Sequence, residues 1–475
     1  MTTLPDLTAL SSDEKDALIR ALFAEIQSLR AMVIQQQAII AELQAKLAAD
    51  SHNSHKPPST NGFRKPPKPK SLREKTGKKS GGQPGNPGKN LMQAENPDHI
   101  IVHAPAAICD ECAAPLPEGI VIETRQVFDI PVIRHEVTEH RVFQTMCRCG
   151  KLHRGIFPDD VCASVQYGPR VLATAVYLTT QQMIPLQRTA EVIEDFFGLP
   201  VSEATVVAAC TEAEERLQPT VDAIALSLQT VEVAHADETG LKIAGSLHWM
   251  HVVATTLLTW IGFHKKRGEE GMTALNILSV FHGTLVHDGW ESYRKLSCMH
   301  ALCNAHHLRE LIALFEQGQA WAGRMIDLLR AACHEVNQAE SGVLNEERRA
   351  SYRASYEAIL REGERDNPRA ESSGKRGRPK QSKAANLLWR LRTHADDVWR
   401  FTANPNVPFT NNLAEQAIRM QKVKQKVSGG FRTEGGARSF CVIRSYLATM
   451  RKQNVNVFHA LASTFQGDVP QPLFT

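Results

Sequence analysis

One stretch of this chain dictates a topology. Between residues 231 and 300, apolar and polar side chains alternate over 231–237, 247–255 and 257–264, the period of strands that present successive residues to opposite faces. A helical stretch follows at 271–281, then a short apolar run at 284–287 and a further short strand at 298–302. Three strands on short connections, a helix and a returning strand form one sheet. The pattern predicts that Asp237, closing the first strand, and Asp288, just after the fourth, lie on neighbouring strands.

That order of elements fits an RNase H-like sheet, and the acidic residues suit it. Asp237 ends Val231-Glu232-Val233-Ala234-His235-Ala236-Asp237, and Asp288 ends Gly283-Thr284-Leu285-Val286-His287-Asp288. Glu415 lies in a helical run that opens with Asn411-Asn412. Three carboxylates from separate elements can hold a pair of Mg²⁺ (or Mn²⁺) ions, hard cations that prefer oxygen, and paired ions of this kind serve phosphodiester chemistry. Asp237 is the candidate bridging ligand, with Asp288 and Glu415 completing the separate coordination spheres. Glu238 is expected on the face opposite Asp237. A long helical region over 306–398, interrupted by a polar loop at 365–383, must fold back for Glu415 to reach the aspartates.

The rest of the chain reads as apparatus for holding DNA. Ile19, Leu22, Ile26, Leu29, Val33, Gln36, Ile40, Leu43 and Leu47 follow steps of three and four, a heptad seam that predicts a self-associating coiled-coil helix over 12–50, with Ser12 or Asp13 as its cap. Residues 51–94 carry ten cations (Lys56, Arg64, Lys65, Lys68, Lys70, Arg73, Lys75, Lys78, Lys79, Lys89) against Glu74 alone, among many Pro and Gly. Such a segment reads as a linker that holds phosphates, with Lys65, Lys68 and Lys70 at its centre. Residues 95–165 alternate with strand period at 123–130 and 132–142, between Cys109-x-x-Cys112 and Cys147-x-Cys149. Two cysteine pairs flanking a β-rich segment suggest a zinc-ribbon-like DNA-binding domain with Zn²⁺ on Cys109, Cys112, Cys147 and Cys149. Residues 166–225 read as helix, turn, helix over 188–197 and 202–217, with Ser202 as an N-cap, but four glutamates on the second helix disfavour a DNA groove. Beyond Glu415, Arg419, Lys422, Lys424, Lys426 and Arg432 are candidate phosphate contacts, continued by Arg438, Arg444, Arg451 and Lys452. The basic loop Gly374-Lys375-Arg376-Gly377-Arg378-Pro379-Lys380 could lie in an A·T-rich minor groove.

Taken together, these motifs resemble the insertion sequence 66 family of transposases. The resemblance covers the coiled coil, Lys56-Pro57-Pro58-Ser59, Gly81-Gly82-Gln83-Pro84-Gly85, the cysteine-paired region, Asp237-Glu238-Thr239, Asp288-Gly289-Trp290-Glu291-Ser292-Tyr293, Asn411-Asn412-x-x-Glu415-Gln416-x-x-Arg419 and the basic run after it. It implies Asp237, Asp288 and Glu415 as a DDE triad that cleaves DNA and transfers strands, and small accessory proteins of the same element as partners. Cys303-x-x-His306 looks like the Cys/Asp-x-x-His signature of several DDE families, with a role in orienting the site or the DNA; Asn411 and Asn412 would support Glu415. Helical spacing also puts Cys303 and His307 on one face near His300, which makes a metal site there conceivable. Cys147-x-Cys149 is one residue shorter than the usual pair, and Thr410 stands where an acid often precedes the paired Asn.

The expected architecture is multidomain α+β. It comprises a coiled-coil oligomerisation helix (12–50), a basic linker (51–94), a zinc-ribbon-like domain (95–165), a helix-turn-helix-like segment (166–225), and an RNase H-like catalytic domain (226–304). An α-helical insertion (305–405), a catalytic helix (406–428) and a basic C-terminal segment (429–475) complete it. No apolar stretch reaches the roughly 18–20 residues that span a bilayer, and the first residues lack a signal peptide's basic-then-apolar order, so a cytoplasmic, nucleoid-associated, DNA-binding homo-oligomer is expected. The competing readings are a non-catalytic DNA-binding regulator and a metal-dependent nuclease without strand transfer.

Overall fold

A computed structural model of the chain describes residues 10–48, 91–370, 379 and 381–474. Lys65, Lys68, Lys70, nearly all of the basic linker and most of the 374–380 loop lie outside the described residues. Helix α1 (Ser12–Ala48) exposes its heptad seam along its length, with Leu22 and Leu29 about half accessible. Its cap is Ser11, one residue earlier than expected. The Glu14 carboxylate accepts the Ser11 N–H at 2.8 Å and the Ser11 hydroxyl accepts the Glu14 N–H at 3.4 Å. Ser-x-x-Glu spacing satisfies both ends reciprocally, which Ser12 and Asp13 cannot do.

The chain forms two compact units, one of Met1–Pro69, Pro158–Ala190 and Ser202–Thr475, the other of Lys70–Phe157 and Glu191–Val201. In the second, β structure among the described residues is limited to the antiparallel pair β1 (Gln144–Met146) and β2 (Leu152–Arg154) and a single bridge between Ile108 and Pro115. The strands expected at 123–130 and 132–142 do not form. Their apolar residues meet no opposing layer: Val127 is 92% exposed and Val132 89%, and alternation alone does not stabilise a strand without a face to bury.

The larger unit is built on a mixed five-stranded sheet. Ahead of it in the chain come α2 (Pro169–Val176), a π-helical turn at Tyr177–Gln181, α3 (Leu186–Phe197), which from Glu191 on belongs to the other unit, and α4 (Glu203–Leu228). Ser202 caps α4 by accepting the Thr205 N–H at 3.0 Å. Helix α4 passes through Pro219 and ends at Leu228 rather than at 217, because Val221, Ile224 and Leu228 continue its buried stripe. The strands are β3 (Val233–Ile243), β4 (Ser246–Ala254), β5 (Thr259–His264), β6 (Thr284–His287) and β7 (Met299–Leu302), with α5 (Glu269–Leu275) before β6 and α6 (Glu291–Arg294) after it. The sheet order is β5-β4-β3-β6-β7; β3 is antiparallel to β4 and parallel to β6. Asp237 thus stands in mid-strand: β3 runs on to a tight turn in which Ala244 and Gly245 both have positive φ, the mark of a type I′ hairpin.

The two faces of β3 bury different partners. Ala234 and Ala236 pack with Ile224, Met272, Phe281 and Tyr293, whereas Leu241 and Ile243 pack with Met250, Val252, Ile418 and Phe440. The alternation assigns Asp237, in register with Leu241 and Ile243, to the second face. A further core surrounds Trp321, Tyr356, Leu388 and Trp399 and takes in Val286, Ala301 and Leu302 of the sheet. It fills the helical insertion of α7 (Asn304–Glu316), α8 (Ala320–Gln338), α9 (Glu346–Asp366), α10 (Lys383–Thr393) and α11 (Ala395–Trp399). The insertion leaves and re-enters the fold at one point, where the Asn304 N–H donates to the Phe409 carbonyl at 3.0 Å.

Helix α12 (Asn412–Ser428) follows, then α13 (Glu434–Lys452) and α14 (Val457–Phe465). Not every cation expected to meet phosphates in 429–475 is open to them: Arg432, Arg438 and Arg451 are exposed, whereas two others turn inward. Helix α13 packs on β5 and α4. Arg444 is buried against Gln181, and Lys452 Nζ donates to the carbonyls of Thr255 and Leu258 at 2.5 and 2.8 Å. These two cations satisfy interior oxygens and are not available to phosphates. Among the described residues, no helix is long and apolar enough to cross a membrane.

Gly430 seats the end of α12 on the sheet. Its φ is +141°, and a Cβ there would stand 2.5 Å from the Lys242 carbonyl, beside the Phe431 N–H bond to that oxygen at 3.0 Å. Gly430→Ala is expected to destabilise the fold by roughly 1–3 kcal/mol, read as a lower urea midpoint at unchanged m-value.

Candidate active site

The site is assembled by one buried amide. Asn411, at the start of α12, donates from Nδ2 to the Ala236 carbonyl at 2.8 Å and pairs through Oδ1 with His235 Nδ1 at 3.0 Å. Its backbone N–H donates to Cys303 Sγ at 3.2 Å. Burial pushes the His235 imidazole down to about 4, so the ring is neutral at pH 7 and Nδ1–H is the donor that the amide oxygen requires. His235 and Asp237 share a face of β3, so the contact draws the first turn of α12, and Glu415 with it, toward Asp237.

Asp237 responds to its burial and to the acids around it. Asp237 is pushed well above the usual carboxylate range, first by burial, then by the charges of Glu238 and Asp288, with Glu415 adding to them; the Glu238 N–H, 2.9 Å from Asp237 Oδ1, acts in the opposite sense. Asp288 Oδ1 accepts the Trp290 N–H at 2.8 Å. The turn between them needs Gly289, whose φ is +91° and whose N–H donates to His287 Nδ1 at 3.0 Å. Glu415 is mostly buried, with 13% of its side chain accessible, and Cys303 Sγ lies 4.0 Å from Oε1. His306 Nδ1 lies at 3.8 Å, and the guanidiniums of Arg309 and Arg419 at 4.0 and 3.7 Å.

Cys303, His306 and Glu415 are the one group of three ligand-type side chains, among the described residues, whose ligand atoms lie within 4.8 Å of one another. Burial, then the Glu415 charge, push the Cys303 thiol up to about 11. At neutral pH it is therefore a protonated donor aimed at Glu415 rather than a thiolate. The grouping of Cys303 with His307 and His300 suggested by helical spacing is not formed. His307 pairs with Asn304 at 3.2 Å and His300 with His287 at 3.2 Å, leaving His306 on the side of Glu415.

The other sequence candidates separate by helical geometry. Arg419, Lys422 and Lys426 follow Glu415 at four, seven and eleven residues, which places them on its face of α12. All three are exposed. Partial burial of its stem lowers the Lys422 ammonium, and the charge of Asp237 pulls it back. Lys424 is nine residues on, on the opposite face, beside Cys210 rather than the site. Asn412 and Arg432 are exposed, and only the first Asn of the pair reaches inward. In the other unit, Cys109 and Cys112 share one turn, and Cys147 and Cys149 share the β1–β2 turn. The N–H of Cys112 lowers the Cys109 thiol, and that of Cys149 the Cys147 thiol. Sequence reasoning missed His235 and the pairing of Glu238 with Arg267 and Tyr293. A histidine two residues before a candidate ligand on an alternating strand was the available signal for the first.

A family model for the Transposase IS66 family matches residues 164–439. A second, for a family of unknown function, matches residues 2–92. No curated protein matches the chain.

Two stability measurements follow from the buried charges. The folded value of His235 lies below its ordinary 6.5, so its contribution is complete above about 6.5 and is lost as pH falls toward 4; the loss is on the order of 3 kcal/mol. His235→Gln is expected to flatten the fall of the urea midpoint between pH 7 and 4.5. Asp237 has the opposite sign: its value is raised, so stability present below the ordinary 3.8 is lost as pH rises through the folded value. In EDTA at pH 8, Asp237→Asn is expected to melt above the parent, with the gap closing near pH 4.

Proposed function

The chain belongs to the IS66 family of transposases, and on that premise we propose that it cuts and joins DNA at Asp237, Asp288 and Glu415. The observation that carries this is the gathering of three acids from three elements, β3, the turn after β6 and the first turn of α12, closely enough for Asp288 and Glu415 to act on Asp237. The sheet order, with β3 antiparallel to β4 and parallel to β6, supports the RNase H-like reading.

The donor set fits the family's divalent metal. Hard carboxylate oxygens, of which Asp237 holds its proton too well through burial and then through its acidic neighbours, form a site that gains by taking up Mg²⁺ or Mn²⁺. When bound, such ions polarise the scissile phosphate and supply a nucleophilic oxygen at neutral pH. The chain's own groups fix the ligands. The Trp290 N–H orients Asp288, and the Cys303 thiol with Arg309 and Arg419 orients Glu415. Arg419, Lys422 and Lys426 hold phosphates flanking the reacting bond. Water opens a phosphodiester and frees a 3′-hydroxyl. That hydroxyl then attacks a target phosphodiester and displaces another 3′-oxygen, so the second step conserves bonds.

The remaining parts have separate tasks. The exposed seam of α1 pairs protomers, as two element ends require, and the N-terminal modules bind the terminal inverted repeats. The turns of Cys109 and Cys112 and of Cys147 and Cys149 each offer two thiols to structural Zn²⁺. The element's accessory proteins assist assembly on nucleoid DNA.

The test is purified protein with Mg²⁺, labelled element ends and target DNA. Joined products are expected, and they vanish in Asp237→Asn and Glu415→Gln. Cleavage without joining would identify a nuclease, and binding without breakage a regulator. Lys422→Ala should lower affinity alike for all sequences and reduce the slope of log K against log salt by about 1.

A further inference from the structure

Glu238 follows Asp237 on β3 and faces the other side of the sheet, with Ala234 and Ala236. Its side chain is only 2% accessible, and both of its oxygens are engaged. Oε1 accepts from Arg267 Nε at 3.0 Å and Nη2 at 2.6 Å, and Oε2 accepts the Tyr293 hydroxyl at 2.5 Å. Both partners hold the turn that carries Asp288. Tyr293 belongs to α6, which begins three residues after Asp288. Arg267 lies over the Trp290 ring at 4.3 Å, with Trp249 on β4 at 4.7 Å. Trp290 meets Tyr293 edge to face at 5.3 Å and donates its own N–H to Asp288.

A continuous set of contacts therefore runs from the neighbour of one catalytic aspartate, behind the sheet, to the backbone donor that orients the other. A buried carboxylate left without these partners would be costly, so the arrangement stands or falls as a unit. We propose that Glu238 is a positioning residue: it fixes the Asp288 turn against β3 and so sets the affinity of the carboxylate site for its divalent cation. This rests on the DDE reading of the site. Glu238 is placed behind the ligands rather than among them, because its side chain points to the face of β3 opposite Asp237 and is held there by Arg267 and Tyr293. Groups that orient metal ligands from behind change affinity and activity by roughly 10–100-fold when removed.

The experiment uses the full chain and two readouts. Mn²⁺ affinity is measured without DNA by electron paramagnetic resonance titration, and the Mg²⁺ dependence of strand joining is measured with DNA. Glu238→Gln is expected to weaken Mn²⁺ binding roughly 10–100-fold and to raise half-saturating Mg²⁺ by a similar factor, while turnover at saturating metal stays close to the parent's. Tyr293→Phe should move Mn²⁺ affinity in the same direction by a smaller factor. Unchanged Mn²⁺ affinity in both variants overturns the proposal. So does a Glu238→Gln protein that binds Mn²⁺ normally and never joins DNA, since that marks a direct catalytic role. Should Glu238→Gln fail to fold by circular dichroism, Tyr293→Phe and Arg267→Lys decide by the same affinity criterion. A parent that binds Mn²⁺ through Asp237 but never breaks DNA would defeat the transposase reading alone, and the Mn²⁺ comparison would still decide the role of Glu238.

Discussion

The buried amide of Asn411 is the contact on which the rest of the site depends. Its oxygen takes the His235 proton, its nitrogen reaches the Ala236 carbonyl, and its backbone N–H meets the Cys303 sulfur. Each bond is worth about 1 kcal/mol net, but a buried polar group deprived of its partner costs about 1–3 kcal/mol. The energetic weight therefore falls on keeping all three together. They join β3, the start of α7 and the start of α12, which are the segments that carry Asp237, Cys303 and Glu415. Both side-chain partners are tuned by the same means: burial keeps the His235 imidazole neutral and the Cys303 thiol protonated.

That interior supports an electrostatic conflict. Acids that would repel one another are held close in a buried setting, and Asp237 holds its proton well above the usual range, first because it is buried and then because of its acidic neighbours. Sites of this kind are stabilised by the surrounding fold rather than by their own contacts, and they lower stability where they create function. The counter-charges are placed unevenly. Arg309 and Arg419 stand near Glu415, and Lys422 near Asp237. Glu238, by contrast, is matched by a guanidinium of its own behind the sheet.

Much of this was legible in the chain where a pattern repeats. Alternation at 231–264 gave the antiparallel strands, because one face of each had a core to fill. The same alternation at 123–142 gave nothing, because no layer covers those residues. The end of β3 was misjudged since Ala244-Gly245 lacks the Asn-Gly signature of its turn. Lys424 and Lys426 look equivalent in sequence and differ only in helical phase. Arg444 and Lys452 read as DNA contacts, yet they satisfy interior oxygens that pattern cannot reveal. The clamp between His235 and Asn411 spans 176 residues, and no local rule connects them.

The helical insertion begins and ends at a single closed junction, where Asn304 is bonded to Phe409 and Cys303 to Asn411, residues separated in sequence by about a hundred positions. Once that junction is shut, the geometry of the three carboxylates no longer depends on how much chain lies outside it. The entropy of closing a longer loop grows only logarithmically, about 0.6 kcal/mol for each doubling. Loops of the insertion remote from that junction can therefore change length at small cost, provided that Arg309 stays beside Glu415 and Arg400 keeps its bond to the His300 carbonyl.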